Sequence, residues 1–294
     1  MSEFRSGFVS FVGRPNVGKS TLTNAIAGEK VAITSSKPQT TRRAIRAIKT
    51  TETGQLIMVD TPGLHRPRTL LGQRLNDLVS STLHEVDVIV FCTPANEEIG
   101  PGDRKIVADI AKYGRAKKIA IVTKCETVSK QKLAQHLMAV SELHDWEEIV
   151  PVSAATMEQV DLLETLLIGY LPVGPLFYEK DVVSEEPLED RICELVREAA
   201  LELVNDELPH SLAVTLDEIL YDSNKPTVHV SVWVERDSQK GIIIGKGGSM
   251  LKTIGQKARR EIEALMDEPI HLAIQVRIAQ NWQRNAKQLG KLGF

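Results

Sequence analysis

Short apolar runs recur through the first 170 residues, each followed by a stretch whose apolar positions return every three or four residues. The runs at 8–12, 56–59, 86–92, 119–122 and 149–152 are rich in Val and Ile, as strands buried on both faces tend to be. Segments 20–27, 71–83, 103–113, 130–143 and 160–170 carry the helical period. This alternation predicts an α/β domain with a mainly parallel sheet, whose ligands gather at the carboxyl ends of its strands. The pattern stops at Leu171-Pro172-Val173-Gly174-Pro175, where two prolines and a glycine cannot continue a helix.

Beyond that break the periods change. A helix is predicted over 187–205 from Leu188, Ile192, Leu195, Val196, Ala199 and Leu203, with Pro187 suited to its first turn and Glu189 and Asp190 favouring its positive end. Val228, Val230, Val232 and Val234 alternate with polar neighbours, as do Leu272, Ile274, Val276 and Ile278. A further strand is expected over 212–221, with 222–226 as the turn after it. The order helix, strand, strand, glycine-rich helical segment, helix, strand describes a small α+β domain. The expected division is a first domain over 1–172, a linker over 173–186 and a second domain over 187–294.

Composition makes both domains ordinary: 42% of the 294 residues are apolar and 26% charged. The net charge of -3 argues against nucleic acid until it is divided along the chain. Basic residues number 21 against 19 acidic over 1–172, 5 against 16 over 173–239, and 10 against 4 over 240–294. A basic tail is therefore masked by an acidic middle, an asymmetry that accompanies nucleic-acid contact. Cys92, Cys125 and Cys193 are widely spaced and match no metal pattern, which fits a reducing cytoplasm. No apolar run approaches the roughly 20 residues that span a bilayer, and the first residues lack signal-peptide features, so neither a transmembrane segment nor export is expected.

The chemistry begins at Gly13-Arg14-Pro15-Asn16-Val17-Gly18-Lys19-Ser20, which fits G-x-x-x-x-G-K-[ST] between a predicted strand and a predicted helix. In such a P-loop consecutive backbone N–H groups face phosphates, Lys19 reaches the β- and γ-phosphates, and the Ser20 hydroxyl meets Mg²⁺. Asp60-Thr61-Pro62-Gly63 ends the next apolar run, so a metal-holding carboxylate and the Gly63 N–H project from the same sheet edge. Between them, the polar stretch 37–43 contains Thr40 and Thr41, placed where a switch loop offers a hydroxyl to the metal.

These segments resemble the translation-factor-related class of GTPases, and within it the Era group, through GRPNVGKSTL, the PQTTR segment, DTPGLH and Ser153-Ala154-Ala155. The resemblance implies a P-loop GTPase domain whose nucleotide site comprises Gly13, Arg14, Pro15, Asn16, Val17, Gly18, Lys19, Ser20 and Thr21. Asp60, Thr61, Pro62, Gly63, Thr123, Lys124, Glu126, Ser153, Ala154 and Ala155 complete it. Ser20, Thr41 and Asp60 are the implied Mg²⁺ set, and Lys19, Thr41 and Gly63 the catalytic positions. Leu64 follows Gly63 where Ras-like relatives carry a water-orienting Gln, so water is positioned otherwise, with a K⁺ ion held partly by Asn16 as the implied source of charge. One departure stands out. The family reads guanine with Asn-Lys-x-Asp, and this chain has Thr123-Lys124-Cys125-Glu126. Glu126 keeps the carboxylate on a longer stem, and Thr123 keeps a hydroxyl but lacks the amide that ties this loop to the P-loop. Retained guanine specificity with weakened affinity is expected.

In the second domain, Gly245-Lys246-Gly247-Gly248 follows three isoleucines and precedes an amphipathic helix that includes Lys252. With the element order above it resembles a type II KH domain, whose G-x-x-G loop clamps about four nucleotides of single-stranded RNA. The resemblance extends to Glu207-Leu208-Pro209-His210-Ser211 and to the ending from Gln280 to Phe294. His210 reads as a structural residue at a strand entrance. Trp282 reads as core or as a stacking platform, core being favoured. By resemblance the partners are GTP and GDP, the 3′ end of 16S rRNA and the assembling 30S subunit. Some relatives also visit the inner face of the membrane peripherally, which leaves that association open here. The rival readings are an RNA-binding assembly factor with a degenerate, non-cycling nucleotide domain, and an ATP-using kinase, for which no acceptor lid is found.

Overall fold

The computed structural model describes residues 3–294 except Ser36, Pro38, Gln39, His65, Arg66, Asn205, Asp206, Glu207, Asp222 and Ser223, with Pro209 and His210 described by backbone alone. Pro38 and Gln39 of the expected switch segment, His65, the helix end at Asn205, Glu207 and the turn residues Asp222 and Ser223 thus lie outside the described residues. The chain divides into two compact units, one comprising 1–32, 41–66 and 74–185, the other 33–40, 67–73 and 186–294.

The first unit follows the predicted alternation: β1 (Arg5–Val12), α1 (Lys19–Ala27), β2 (Ile45–Thr50), β3 (Gly54–Asp60), α2 (Leu70–Glu85), β4 (Val88–Pro94), α3 (Pro101–Ile110), β5 (Lys117–Thr123), α4 (Lys130–Ser141), β6 (Glu148–Pro151) and α5 (Val160–Tyr170). The sheet order is β2-β3-β1-β4-β5-β6. All pairings are parallel except that of β2 with β3, which is antiparallel. Strands buried on both faces feed two cores. Val88, Val90 and Cys92 enter one cluster, while Ile89 and Phe91 enter the other. The sequence reading lacked β2, because Arg46 and Lys49 interrupt its apolar positions Ile45, Ala47 and Ile48.

Residues 173–185, expected as a linker, run along the first unit. Gly174 N–H donates to the Phe4 carbonyl at 3.1 Å, and the Phe177 and Tyr178 N–H groups donate to Gln55 Oε1 at 2.8 and 3.0 Å. Ile48 N–H on β2 donates to the Val183 carbonyl at 2.8 Å. Glu185 accepts from Arg46 at 2.9 Å and from the Tyr178 hydroxyl at 2.7 Å, and these donors hold its carboxyl below the usual carboxylate range.

The second unit contains α6 (Leu188–Leu203), α7 (Leu208–Ser211), β7 (Ala213–Leu220), β8 (Thr227–Val234), α8 (Asp237–Ile244), α9 (Ser249–Met266), β9 (His271–Ile278) and α10 (Ala286–Lys291). Its sheet runs β7-β8-β9, with β7 antiparallel and β9 parallel to the central strand. The four alternating valines of β8 are fully buried with Ile192, Val196, Ile254 and Ile262 of α6 and α9. His210 sits in the short helix α7, three residues before β7 begins. Among the described residues no helix is long and apolar enough to cross a membrane.

Trp282 is core: it is fully buried, its indole N–H donates to the Ser211 carbonyl at 3.0 Å, and its ring stacks on Phe294 at 5.4 Å. Trp282→Ala should destabilise the second unit by about 3–5 kcal/mol, as large-to-small core changes do, and bring its urea transition earlier. A loss of RNA binding with no shift of that transition would instead make the ring a stacking platform.

Candidate functional site

Parallel pairing of β1 with β3 and β4 brings the ends of three strands, and the loops after them, to one edge. The P-loop leaves β1 there and opens α1 at Lys19, which is buried. Its ammonium donates to the Arg14 and Gly13 carbonyls at 3.0 and 3.3 Å, so it lies folded over the loop that phosphates would fill. Burial lowers the Lys19 pKa, opposed chiefly by the Asp60 carboxylate.

Ser20, Thr41 and Asp60, far apart in sequence, meet at one oxygen. Asp60 Oδ2 accepts from the Ser20 hydroxyl at 2.7 Å and from the Thr41 hydroxyl at 3.1 Å, and the two hydroxyls lie 3.1 Å apart. Asp60 is wholly buried, which raises its pKa against the pull of Ser20, Lys19 and Thr41. Its Oδ1 atom is buried with no hydrogen-bond partner. Three hard oxygen donors and an orphaned carboxylate oxygen form a set that suits Mg²⁺. Gly63 passes so close to the P-loop that a β-carbon there would lie 2.8 Å from the Pro15 nitrogen. The next N–H, of Leu64, donates to the Gly13 carbonyl at 3.3 Å, while the Leu64 side chain packs on an apolar cluster. Thr61 donates its hydroxyl to the Phe11 carbonyl at 3.2 Å, and Pro62 is buried beside it.

Other expected residues take distinct places. Arg14 turns its guanidinium to Asp103 at 2.8 Å and Glu97 at 3.0 Å, which leaves its backbone as the part that could face a phosphate. Asp103, wholly buried, escaped the sequence reading because nothing local marks it. Asn16 has a left-handed backbone with φ 64°, Val17 is buried, Gly18 caps α1 and Thr21 is exposed on its first turn.

In the loop expected to read the base, the missing amide has a substitute. Thr123 does tie the loop to the P-loop, because its hydroxyl donates to the Val17 carbonyl at 2.6 Å. Lys124 donates to the Asn16 carbonyl at 2.9 Å. Glu126 is exposed in the turn Cys125–Thr127. The second base loop lies alongside: Cys125 N–H donates to the Val152 carbonyl at 3.4 Å, and buried Ser153 accepts the Thr156 N–H at 3.1 Å. Ala154 and Ala155 follow on the surface side of that loop.

In the second unit the G-x-x-G loop joins α8 to α9. Gly245 has φ 72°, and a β-carbon there would meet the Met250 backbone nitrogen at 2.8 Å, so only glycine lets the chain turn. Gly247 and Gly248 also have positive φ, and Lys246 and Lys252 are exposed beside them. A groove of about 390 Å³ continues from Gly248 between α9 and β9, lined by Lys252, Gly255, Arg259, His271, Leu272 and Ile274. Cations at its rim and apolar side chains on its floor suit a phosphate backbone with unstacked bases. Ile242, 52% exposed, adds an apolar surface on the helix before the loop.

Comparison with known proteins agrees with both halves. A family model described as a 50S ribosome-binding GTPase matches residues 8–124, and a KH domain model matches residues 207–283. The GTPase Era of Mycolicibacterium smegmatis is 58% identical over all of both chains, and that of Streptomyces coelicolor is 54% identical over 99% of this chain and 95% of the relative. A crystal structure of Era in complex with MgGDPNP and nucleotides 1506–1542 of 16S ribosomal RNA matches at a TM-score of 0.95 and 33% identity, covering 99% of each chain. Aquifex aeolicus Era bound to GDP·AlF4⁻ matches at 0.94 and 33% identity, covering 98% of this chain and 99% of the other. With full-length identity well above the level at which folds diverge, and with the P-loop and the G-x-x-G loop each in its place, the chain belongs to the Era family of GTPases.

Proposed function

We propose that this GTPase is a switch that binds the 3′ end of 16S rRNA through its KH domain and acts in assembly of the 30S subunit. The observation that carries it is the meeting of Ser20, Thr41 and Asp60 beside Lys19, in a chain that also presents a basic groove behind a G-x-x-G loop. The work belongs in the cytoplasm, where subunits assemble, and any contact with the inner membrane face is peripheral.

Ser20, Thr41 and Asp60 would hold Mg²⁺, which when bound neutralises charge on the β- and γ-phosphates. Lys19 swings from the loop carbonyls to the phosphates, and the P-loop N–H groups hold their oxygens. Gly63 lies against Pro15 of the P-loop, where its N–H would meet a γ-phosphate. Loss of that phosphate removes what orders Thr41 and Gly63, which is how hydrolysis reads out as shape. Acidic residues of the middle segment already pair with the basic tail inside the second unit, Glu202 with Lys257 at 2.6 Å and Asp217 with Arg277 at 3.6 Å. Such pairs are exposed and weak, so RNA phosphates can displace them.

The non-cycling alternative drew on Thr123 and Glu126. The Thr123 hydroxyl bond to Val17 supports the cycling reading, since the base loop keeps its tie to the P-loop. GTP turnover should rise on addition of a short RNA carrying the ribosomal 3′ sequence, and Asp60→Asn should lower it about a hundredfold. Absent turnover with intact RNA binding would favour the non-cycling factor.

Glu126 would accept the N1 and N2 hydrogens of guanine, which adenine lacks. In competition against labelled GDP, GTP should displace and ATP should not. Glu126→Asp, which removes the extra methylene, should tighten GDP binding about tenfold, or about 1.4 kcal/mol. Equal competition by ATP would overturn this assignment.

Asn16 would supply part of a K⁺ site beside the P-loop. Hydrolysis should be faster in potassium than in sodium buffer at equal ionic strength, and Asn16→Gly, which removes the side-chain oxygen at a left-handed backbone position, should erase the difference. Equal rates in the two salts would remove K⁺ from the mechanism.

A further inference from the structure

Three loops leave the carboxyl ends of β1, β4 and β5 within the first unit, and hydrogen bonds lace them to one another. The Thr123 hydroxyl donates to the Val17 carbonyl at 2.6 Å, and the Ala95 N–H after β4 donates to the Thr123 carbonyl at 2.8 Å. The circuit closes at Arg14. Its Nε donates to Asp103 Oδ1 on the first turn of α3 at 2.8 Å, and its Nη1 lies 3.0 Å from Glu97 in the loop before that helix. The Arg14 carbonyl also accepts the Lys19 ammonium at 3.0 Å.

Asp103 divides its two oxygens between two partners. Oδ2 accepts the Gly100 N–H at 2.9 Å, which caps α3, and Oδ1 is left for Arg14. A neutral amide would meet Gly100 as well, so the cap alone does not call for a wholly buried carboxylate. The helix beneath is firmly seated, with Ile106, Val107 and Ile110 buried in the cluster that holds Phe91 and Ala120. Arg14 lies along its first turn, where a β-carbon at Gly102 would stand 3.3 Å from Arg14 Cδ. The Glu97 side chain is 46% exposed, so its pairing adds little to this tether.

We propose that Asp103 is a positioning residue of the phosphate site: through Arg14 it holds the P-loop in its binding shape before nucleotide arrives. This rests on residues 13–20 being the phosphate cradle. Glycine at both ends, Gly13 and Gly18, makes such a loop costly to order, and binding would otherwise bear that cost. Fixing about one loop residue in advance corresponds to roughly tenfold in affinity.

The test uses the full chain with Asp103→Asn, Arg14→Gln, the two together and, as a reference for the cradle, Lys19→Ala. Asp103→Asn still accepts from Gly100. It should weaken GDP binding and raise KM for GTP by about tenfold each, with kcat at saturating GTP within about threefold, because bound phosphates order the loop again. Arg14→Gln should weaken GDP binding by a similar factor, and it leaves α3 with its own carboxylate. The double variant should lose about tenfold rather than about a hundredfold, since either change alone breaks the same tether. A carboxylate that only caps α3 would lower the thermal transition of the nucleotide-free protein and leave GDP affinity alone. Unchanged GDP affinity in either folded single variant, or losses that multiply in the double variant, with Lys19→Ala impaired, would overturn the inference by itself. Undiminished GDP affinity in Lys19→Ala would overturn the cradle and the inference together.

Discussion

A carboxylate with no access to water, placed at the end of an apolar strand, governs the first domain. Asp60 sits where β3 leaves the sheet, and burial works against its charge. Two hydroxyls and one ammonium oppose that cost without removing it, and one carboxylate oxygen is left over. The arrangement therefore suits a cation at that oxygen. This explains why elements from three parts of the chain converge there: α1 brings Ser20, the connection before β2 brings Thr41, and β3 brings Asp60. Each alone would be an ordinary helix start, loop residue or strand end.

The second domain solves a different problem with similar economy. Its sheet packs the valines of β8 against α6 and α9, which leaves Lys246 and Gly247 of the G-x-x-G turn exposed, while Leu272 and Ile274 of the groove behind it pack against that core. Positive φ at Gly245, Gly247 and Gly248 keeps that turn low, so that a nucleotide backbone can approach. Charge is distributed accordingly, with Lys252 and Arg259 on the groove and carboxylates such as Glu202 on the flank.

Most of this was legible in the sequence where chemistry is written into adjacent residues. The P-loop, the Asp60 turn and the G-x-x-G loop each carry their geometry in four to eight consecutive residues. What escaped was set by contacts between distant residues. The hydroxyl of Thr123 meets Val17 106 residues away, so losing the usual amide could be read from sequence but its replacement could not. Asp103 is likewise silent until Arg14 is seen beside it. The strand Ile45–Thr50 escaped for a different reason: an edge strand need not be apolar on both faces, and its basic residues hid its period.

That same edge strand gives the segment after the first domain a role in solubility. An uncovered edge offers a row of free amides and carbonyls to any passing chain. Here the Ile48 N–H is taken by Val183, Ala47 bridges to Ser184, and Arg46 is paired with Glu185. The stretch between the domains thereby acts as a guard against edge-to-edge aggregation. A chain cut before it would keep its P-loop and lose its protection from self-association.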